Sequence, residues 1–206
     1  MTTPTDFKKE FTALYAPSRR DFSIVDVPRM HFLLIDGEGN PNTAEDYRDA
    51  VDALYAVSYA LKFASKQQLK RDYVVAPLEG LWSSDDPLSF QSGAKDQWRW
   101  TMTIMQPEWI TNDLVVAAIE KTRRKKDSPA LRLLRYEPFA EGRAVQILHV
   151  GSYDDEAPTL RRLHEQFMPE HGLTFNGRHH EIYLSDARRT QPEKLKTILR
   201  QPVKSR

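Results

Sequence analysis

The chain of 206 residues contains no cysteine. That excludes thiol nucleophiles, disulfide staples and thiolate metal sites, and it is compatible with a reducing cytosol. There is no glycine-rich phosphate loop and no G-x-S-x-G elbow, so neither a nucleotide cradle nor a nucleophilic serine of that kind is signalled. Histidine occurs six times, at His31, His149, His164, His171, His179 and His180, without an H-E-x-x-H pattern. No carboxylate cluster stands at ligand spacing, so neither a metal nor a cofactor is expected. Long apolar runs are missing too. Nothing approaches the roughly 20 residues of a membrane span. The opening "MTTPTDFKKEFTALYAPSRR" has no run of signal-peptide length. Excess charge is also absent: 30 basic and 29 acidic residues leave a net charge of +1. No long-range field therefore points to nucleic acid or to a membrane surface. The expectation is a soluble, cytoplasmic protein.

What is present is an ordinary globular composition, 40% hydrophobic and 29% charged, with clear strand and helix signals. Phe7, Phe11, Leu14 and Tyr15 recur at helical spacing in a lead-in over residues 1–21, which Pro17 stops. "FSIVDV" (Phe22–Val27) and "MHFLLIDGEG" (Met30–Gly39) predict two strands separated by Pro28. A long helix follows. Asn42 and Glu45 fit a capping box, and Tyr47, Val51, Leu54, Ser58 and Leu61 form its stripe. "YVVAPLEGLW" (Tyr73–Trp82) predicts a strand in which Pro77 marks an edge or a bulge. "SSDDPLSFQSGAKD" reads as a loop. "QWRWTMTIM" (Gln97–Met105) alternates as a strand, with Trp98, Trp100, Met102 and Ile104 on one face. "PEWITNDLVVAAIEKTRRKK" predicts a helix with a basic end.

The order then recurs. "LRLLRYEPF" (Leu131–Phe139) and "GRAVQILHVGSY" (Gly142–Tyr153) predict a strand pair joined at a glycine turn. Asp154 or Asp155 can cap a helix that carries Pro158 in its first turn and Gly172 at its close. Leu160, Leu163 and Phe167 are its stripe. "HHEIYLSD" (His179–Asp186) and "LKTILRQPV" predict the last strands. "HFLLIDGEG" corresponds to "AVQILHVGSY", and "PLEGLWS" to "HHEIYLS", with Glu79 matching Glu181. The expected fold class is α+β. Duplicated βαββ units, over about 22–127 and 128–206, form one domain from 22 to 206 with pseudo-twofold symmetry and a central ligand groove.

"HHEIYLSD" is the most informative stretch. Alternate side chains of a strand face opposite sides. Ile182 and Leu184 share a face with His180, whereas Glu181 and Tyr183 share the other with His179. A carboxylate set among aromatics is desolvated unless paired, and can attract a cation or act as general acid or base. The plain alternative is a solvated strand face. Glu79, just before Gly80, either joins the groove from the other half or is an exposed edge carboxylate. Trp82, Trp98, Trp100 and Trp109 offer stacking and cation–π surfaces, or serve as core. His149, His179 and His180 are acid–base candidates near neutral pH, or satisfied structural histidines. "KTRRKKD" (Lys121–Asp127) reads as a solvated helix end that suits the macrodipole.

These stretches carry a resemblance. The βαββ duplication and "HHEIYLSDARR…PEKLKTILRQPV" resemble the GyrI-like small-molecule-binding family, and "PLEGLW" and "WRWTMTIMQPEWIT" are similar to signatures of its stand-alone bacterial subgroup. The likeness runs from about Phe22 to Val203. It implies a small-molecule ligand, lipophilic and aromatic or cationic, held in a groove against a glutamate that corresponds to Glu181. It also implies a site drawn from Glu79, Trp82, Trp98, Trp100, Trp109, His149, His180 and Tyr183 around that glutamate. Some stand-alone members hydrolyse cyclopropane-bearing genotoxic alkylators, so the resemblance carries an enzymatic alternative with Glu181 and Tyr183 as catalytic residues. A gyrase-inhibiting relative makes a protein partner the other rival. The transcription activators of the family carry an N-terminal DNA-binding domain, for which about 21 residues leave no room.

Overall fold

In the computed structural model, residues 3–85 and 94–206 are described; the central part of the "SSDDPLSFQSGAKD" loop lies outside them. Seven strands are present: β1 (Ser23–Glu38), β2 (Leu78–Ser83), β3 (Arg99–Gln106), β4 (Arg135–Val150), β5 (Leu173–Phe175), β6 (His179–Tyr183) and β7 (Lys196–Ser205). They run β4-β1-β3-β2-β6-β7, and a β4–β7 pairing closes the six into an antiparallel barrel; β5 adds to the outside of β7. Closure leaves no free barrel edge, which removes the commonest route to edge-to-edge aggregation.

The helices are α1 (Phe7–Glu10), α2 (Thr12–Tyr15), α3 (Glu45–Ala64), α4 (Asn112–Arg123), α5 (Ala130–Leu133), α6 (Ala157–Arg162) and α7 (Met168–Glu170). The 20-residue α3 buries Ala50, Ala53, Leu54, Val57, Ser58 and Leu61, spaced three and four apart as one face of a helix requires. Its acidic first turn (Glu45, Asp46) and Lys62 in the last suit the helix dipole. This face packs on β1 and β3. Leu54 is wholly buried there, so truncating it to alanine would cost about 2–5 kcal/mol. The lead-in is part of the core: Phe7, Leu14 and Tyr15 are all buried.

Three expectations need correction. The two strands on either side of Pro28 are one continuous 16-residue β1. Val27 pairs with Gly142 and Arg29 with Ala140, so the ladder passes over the proline that cannot donate. Likewise, the predicted second strand pair is one 16-residue β4, preceded by the short α5. Gly142, with φ of +75°, bends this strand without reversing it. Finally, Asn42 does not cap α3; Ala44 occupies that position without a side-chain bond, and the Asn40 carboxamide turns the chain just before it.

The duplicated architecture is present. β1 and β4 are equal in length, and exchanging the halves maps the barrel order onto itself. Each half's principal helix runs into a single π-helical turn, Ser65–Leu69 after α3 and Leu163–Phe167 after α6, the latter continuing into α7. The matching strand bounds, Ser23–Glu38 against Arg135–Val150, together with the ladders give the correspondence residue by residue. The pair Glu79–Thr103 overlays His180–Arg200, and Gly80–Met102 overlays Glu181–Leu199. Glu79 therefore corresponds to His180, one residue away from the match read in the sequence. On a strand that single step reverses the face.

Candidate functional site

β6 separates two polar clusters that stand back to back. Inside the barrel, His180 lies between two carboxylates, with Nδ1 2.8 Å from Glu141 Oε1 and Nε2 3.0 Å from Glu79 Oε2. The Tyr15 hydroxyl donates to Glu79 Oε1 at 2.9 Å. Arg200 donates to Glu141 Oε2 at 3.1 Å, to Gln146 Oε1 at 3.0 Å and to the Leu14 carbonyl at 2.8 Å. All of these side chains are buried. Burial alone would lower the His180 pKa, but Glu141 and Glu79 reverse this and lift it to about 9. Burial would raise Glu141, yet His180 and Arg200 bring it down to about 2. Each charge thus has opposite charge and hydrogen bonds around it, as buried ions require. The arrangement ties the lead-in to the barrel and leaves its charges mutually satisfied.

The outer cluster differs. Glu181 keeps 16% of its side-chain exposure. Its Oε2 accepts a 2.8 Å hydrogen bond from the Tyr183 hydroxyl, which itself accepts from Trp82 Nε1 at 3.0 Å. His179 Nε2 stands 3.5 Å from Oε1. Tyr47 of α3 stacks on Trp82 at 6.2 Å and meets Trp100 edge-on at 5.2 Å. Trp98 meets Trp82 edge-on at 5.6 Å. From the other half, Tyr153 meets Tyr183 edge-on at 5.8 Å. Lys95, over the Trp98 ring at 5.7 Å, reaches Asp154 at 3.4 Å and links the two sides. The phenols of Tyr183, Tyr47 and Tyr153 are pushed up by burial and then by the Glu181 charge, Tyr153 to about 12. All three remain protonated at neutral pH, and Tyr183 is the one of them that donates to Glu181. An open cavity of about 450 Å³ beside Glu38, Asp96 and Arg99 contains none of these aromatics.

Several sequence-derived candidates sit elsewhere. Glu79 and His180 belong to the barrel interior and face away from Glu181. Trp109 packs against Phe7 and Tyr73, under the Arg71 guanidinium 3.7 Å from its ring, and donates to Ser65 Oγ at 2.9 Å. His149 contacts the Ser152 carbonyl at 3.0 Å and holds the loop that bears Tyr153. Trp100 is the floor beneath Tyr47, its ring lying over Gly37, where a Cβ would fall 2.1 Å from the indole. Trp82, Trp98, Glu181 and Tyr183 stand next to one another. Tyr47, read from the sequence as helix stripe, Tyr153 and the buried Glu156 join them unannounced. Among the described residues no group of three potential ligands is placed to hold a metal ion, and no helix is long and apolar enough to cross a membrane.

Comparison with known proteins agrees with this architecture. The model of the GyrI-like small molecule binding domain matches residues 20–204. Two crystal structures from Listeria innocua are similar over 97% of this chain and 100% of theirs. One is an uncharacterized conserved protein, at 41% identity and a TM-score of 0.89. The other is described as a hydrolase, at 40% identity and a TM-score of 0.85. The EcmrR C-terminal domain shares the fold at 10% identity, with a TM-score of 0.57 over 90% of this chain and 98% of that one. No protein with a curated description matches. With the family model spanning nearly the whole barrel and its helices, the chain belongs to the GyrI-like small molecule binding domain family.

Proposed function

We propose that the Glu181 cluster receives a flat, apolar or cationic small molecule. One observation carries this reading. Glu181 is a largely buried carboxylate whose only ion-pair partner among the described residues is the His179 imidazole. Among the described residues no lysine or arginine pairs with it, in contrast to Glu141 inside the barrel. A ligand cation would supply the missing counter-charge, and Tyr47, Trp82, Trp98 and Tyr153 would supply faces and edges for its rings. The test is a titration with a phenanthridinium dye followed by tryptophan fluorescence. Glu181→Gln should weaken binding at least tenfold, about 1.4 kcal/mol, and should affect an uncharged isostere of the dye far less. Equal affinity in the two proteins would remove Glu181 from the site.

A second reading has its own support: the full-length relative at 40% identity is described as a hydrolase. Under this reading Glu181 activates water toward a strained, electrophilic ring, as the general base. Incubation with a cyclopropane-bearing alkylator, followed by mass spectrometry, tests it. Catalytic ring-opened product supports hydrolysis; stoichiometric capture alone leaves a sequestering protein.

A further inference from the structure

We propose that Glu156 is a second catalytic carboxyl of this site, the proton donor that complements Glu181 as base; the proposal rests on the hydrolytic reading above. Glu156 immediately precedes α6 and is only 5% exposed. Its Oε1 has no hydrogen-bond partner among the described residues. A buried carboxyl oxygen without a partner costs stability unless something else meets it.

Strand register shows what it faces. Thr197 pairs with Tyr183 across β6 and β7, so its side chain shares the face of Tyr183 and Glu181. The Thr197 hydroxyl stands near the Glu156 carboxyl, outside close hydrogen-bond geometry, which places that carboxyl on the Glu181 side of the sheet. The charged and titratable groups around it are Glu181 and Tyr183 on β6, Tyr153 and Asp154 just before it, and Lys95 at the rim. Burial, then the Glu181 charge, drives its pKa well above the ordinary carboxyl value; Asp154 adds to this, and the Thr197 hydroxyl and Lys95 oppose it. Two carboxyls in one apolar site divide the roles of acid and base in this way.

The chemistry uses both. Opening a cyclopropane conjugated to a carbonyl needs a base for the attacking water and an acid for the oxygen that collects the electrons. Glu181 takes a proton from water as the water oxygen bonds to the ring carbon. The strained carbon–carbon bond breaks, and its electron pair passes to the carbonyl oxygen, which takes the proton of Glu156. The product is an alcohol bearing a phenol. Proton transfer from Glu181 back to Glu156 restores the starting pair.

The experiment is steady-state hydrolysis of a spirocyclopropyl-cyclohexadienone by wild type, Glu156→Gln and Glu156→Asp. In Glu156→Gln, kcat should fall about 10²–10⁴-fold with KM within about threefold. Its kcat–pH profile should lose the high-pH limb, where the acid is deprotonated. Glu156→Asp should recover part of the rate. The defect should shrink for substrates whose phenol product is more acidic, because their oxygen needs the proton less. Wild-type turnover with an unimpaired Glu156→Gln would overturn the role of Glu156 alone. A wild type without turnover would overturn the hydrolytic reading and this proposal with it.

Discussion

Gly80 and Glu181 are paired across β2 and β6, and they are also each other's counterparts in the duplicated halves. The pseudo-twofold axis therefore passes between them. A fully symmetric protein would carry two glutamates at this point, directly opposite, where like charges repel. Here one half supplies the carboxylate and the other supplies space. A Cβ at Gly80 would stand 2.8 Å from Trp82 Nε1 and 3.1 Å from the Tyr183 hydroxyl. The absent side chain is what lets those two groups meet.

Gly80→Ala should accordingly break or stretch the Trp82–Tyr183 hydrogen bond. The expected cost is about 1–3 kcal/mol, as for other insertions of volume into a packed site. Urea denaturation measures it, and the same variant should bind the phenanthridinium dye more weakly. A variant as stable as wild type, with unchanged affinity, would show that the contact is not needed.

Tyr183→Phe removes a hydroxyl that serves two partners, accepting from Trp82 and donating to Glu181. Both are then left short of a hydrogen bond in a mostly buried site, a loss of about 1–3 kcal/mol. The fold should persist, because the ring stays in place. The fluorescence of Trp82 should change and dye binding should weaken. Near-ultraviolet circular dichroism and the titration together check this.

Much of this was legible in the residues of β6. Alternation alone put Glu181 and Tyr183 on one face and His180 on the other, and the ladder agrees. The helix stripe of α3 was equally readable, because a 20-residue element averages over many positions. The match of Glu79 to Glu181 failed for a physical reason. Two short strands with low identity can slide by one residue with no local penalty, and only the neighbouring ladders of β3 and β7 fix the register. Proline misled at Pro28 because an isolated lost donor can be passed over within a long ladder. Glu156 and Tyr153 were hidden in an acidic loop whose contact with β6, Tyr153 edge-on to Tyr183, is long-range in sequence. No local pattern records that.

The barrel interior gives the last prediction, which concerns pH. His180 is raised from an ordinary value of 6.5 to about 9, so the folded state holds its proton more tightly than the unfolded chain does. Its contribution is complete below pH 6.5 and is lost as pH rises through 9. Glu141 is lowered from 4.5 to about 2, so its contribution is complete above pH 4.5 and is lost as pH falls through 2. These two groups together set a stability plateau between pH 4.5 and 6.5, with a decline on each side. The alkaline decline should be on the order of 3 kcal/mol by pH 9 if His180 carries it. His180→Gln removes the titrating group and leaves Glu79 and Glu141 facing a neutral amide. That variant should be less stable at pH 6, by about 3–5 kcal/mol for a buried charge cluster that loses its centre. Its stability should also vary far less between pH 6.5 and 9 than that of wild type. Chemical denaturation across this range reads both effects. An alkaline slope that survives in the variant would assign the dependence to another group and return His180 to an ordinary buried imidazole.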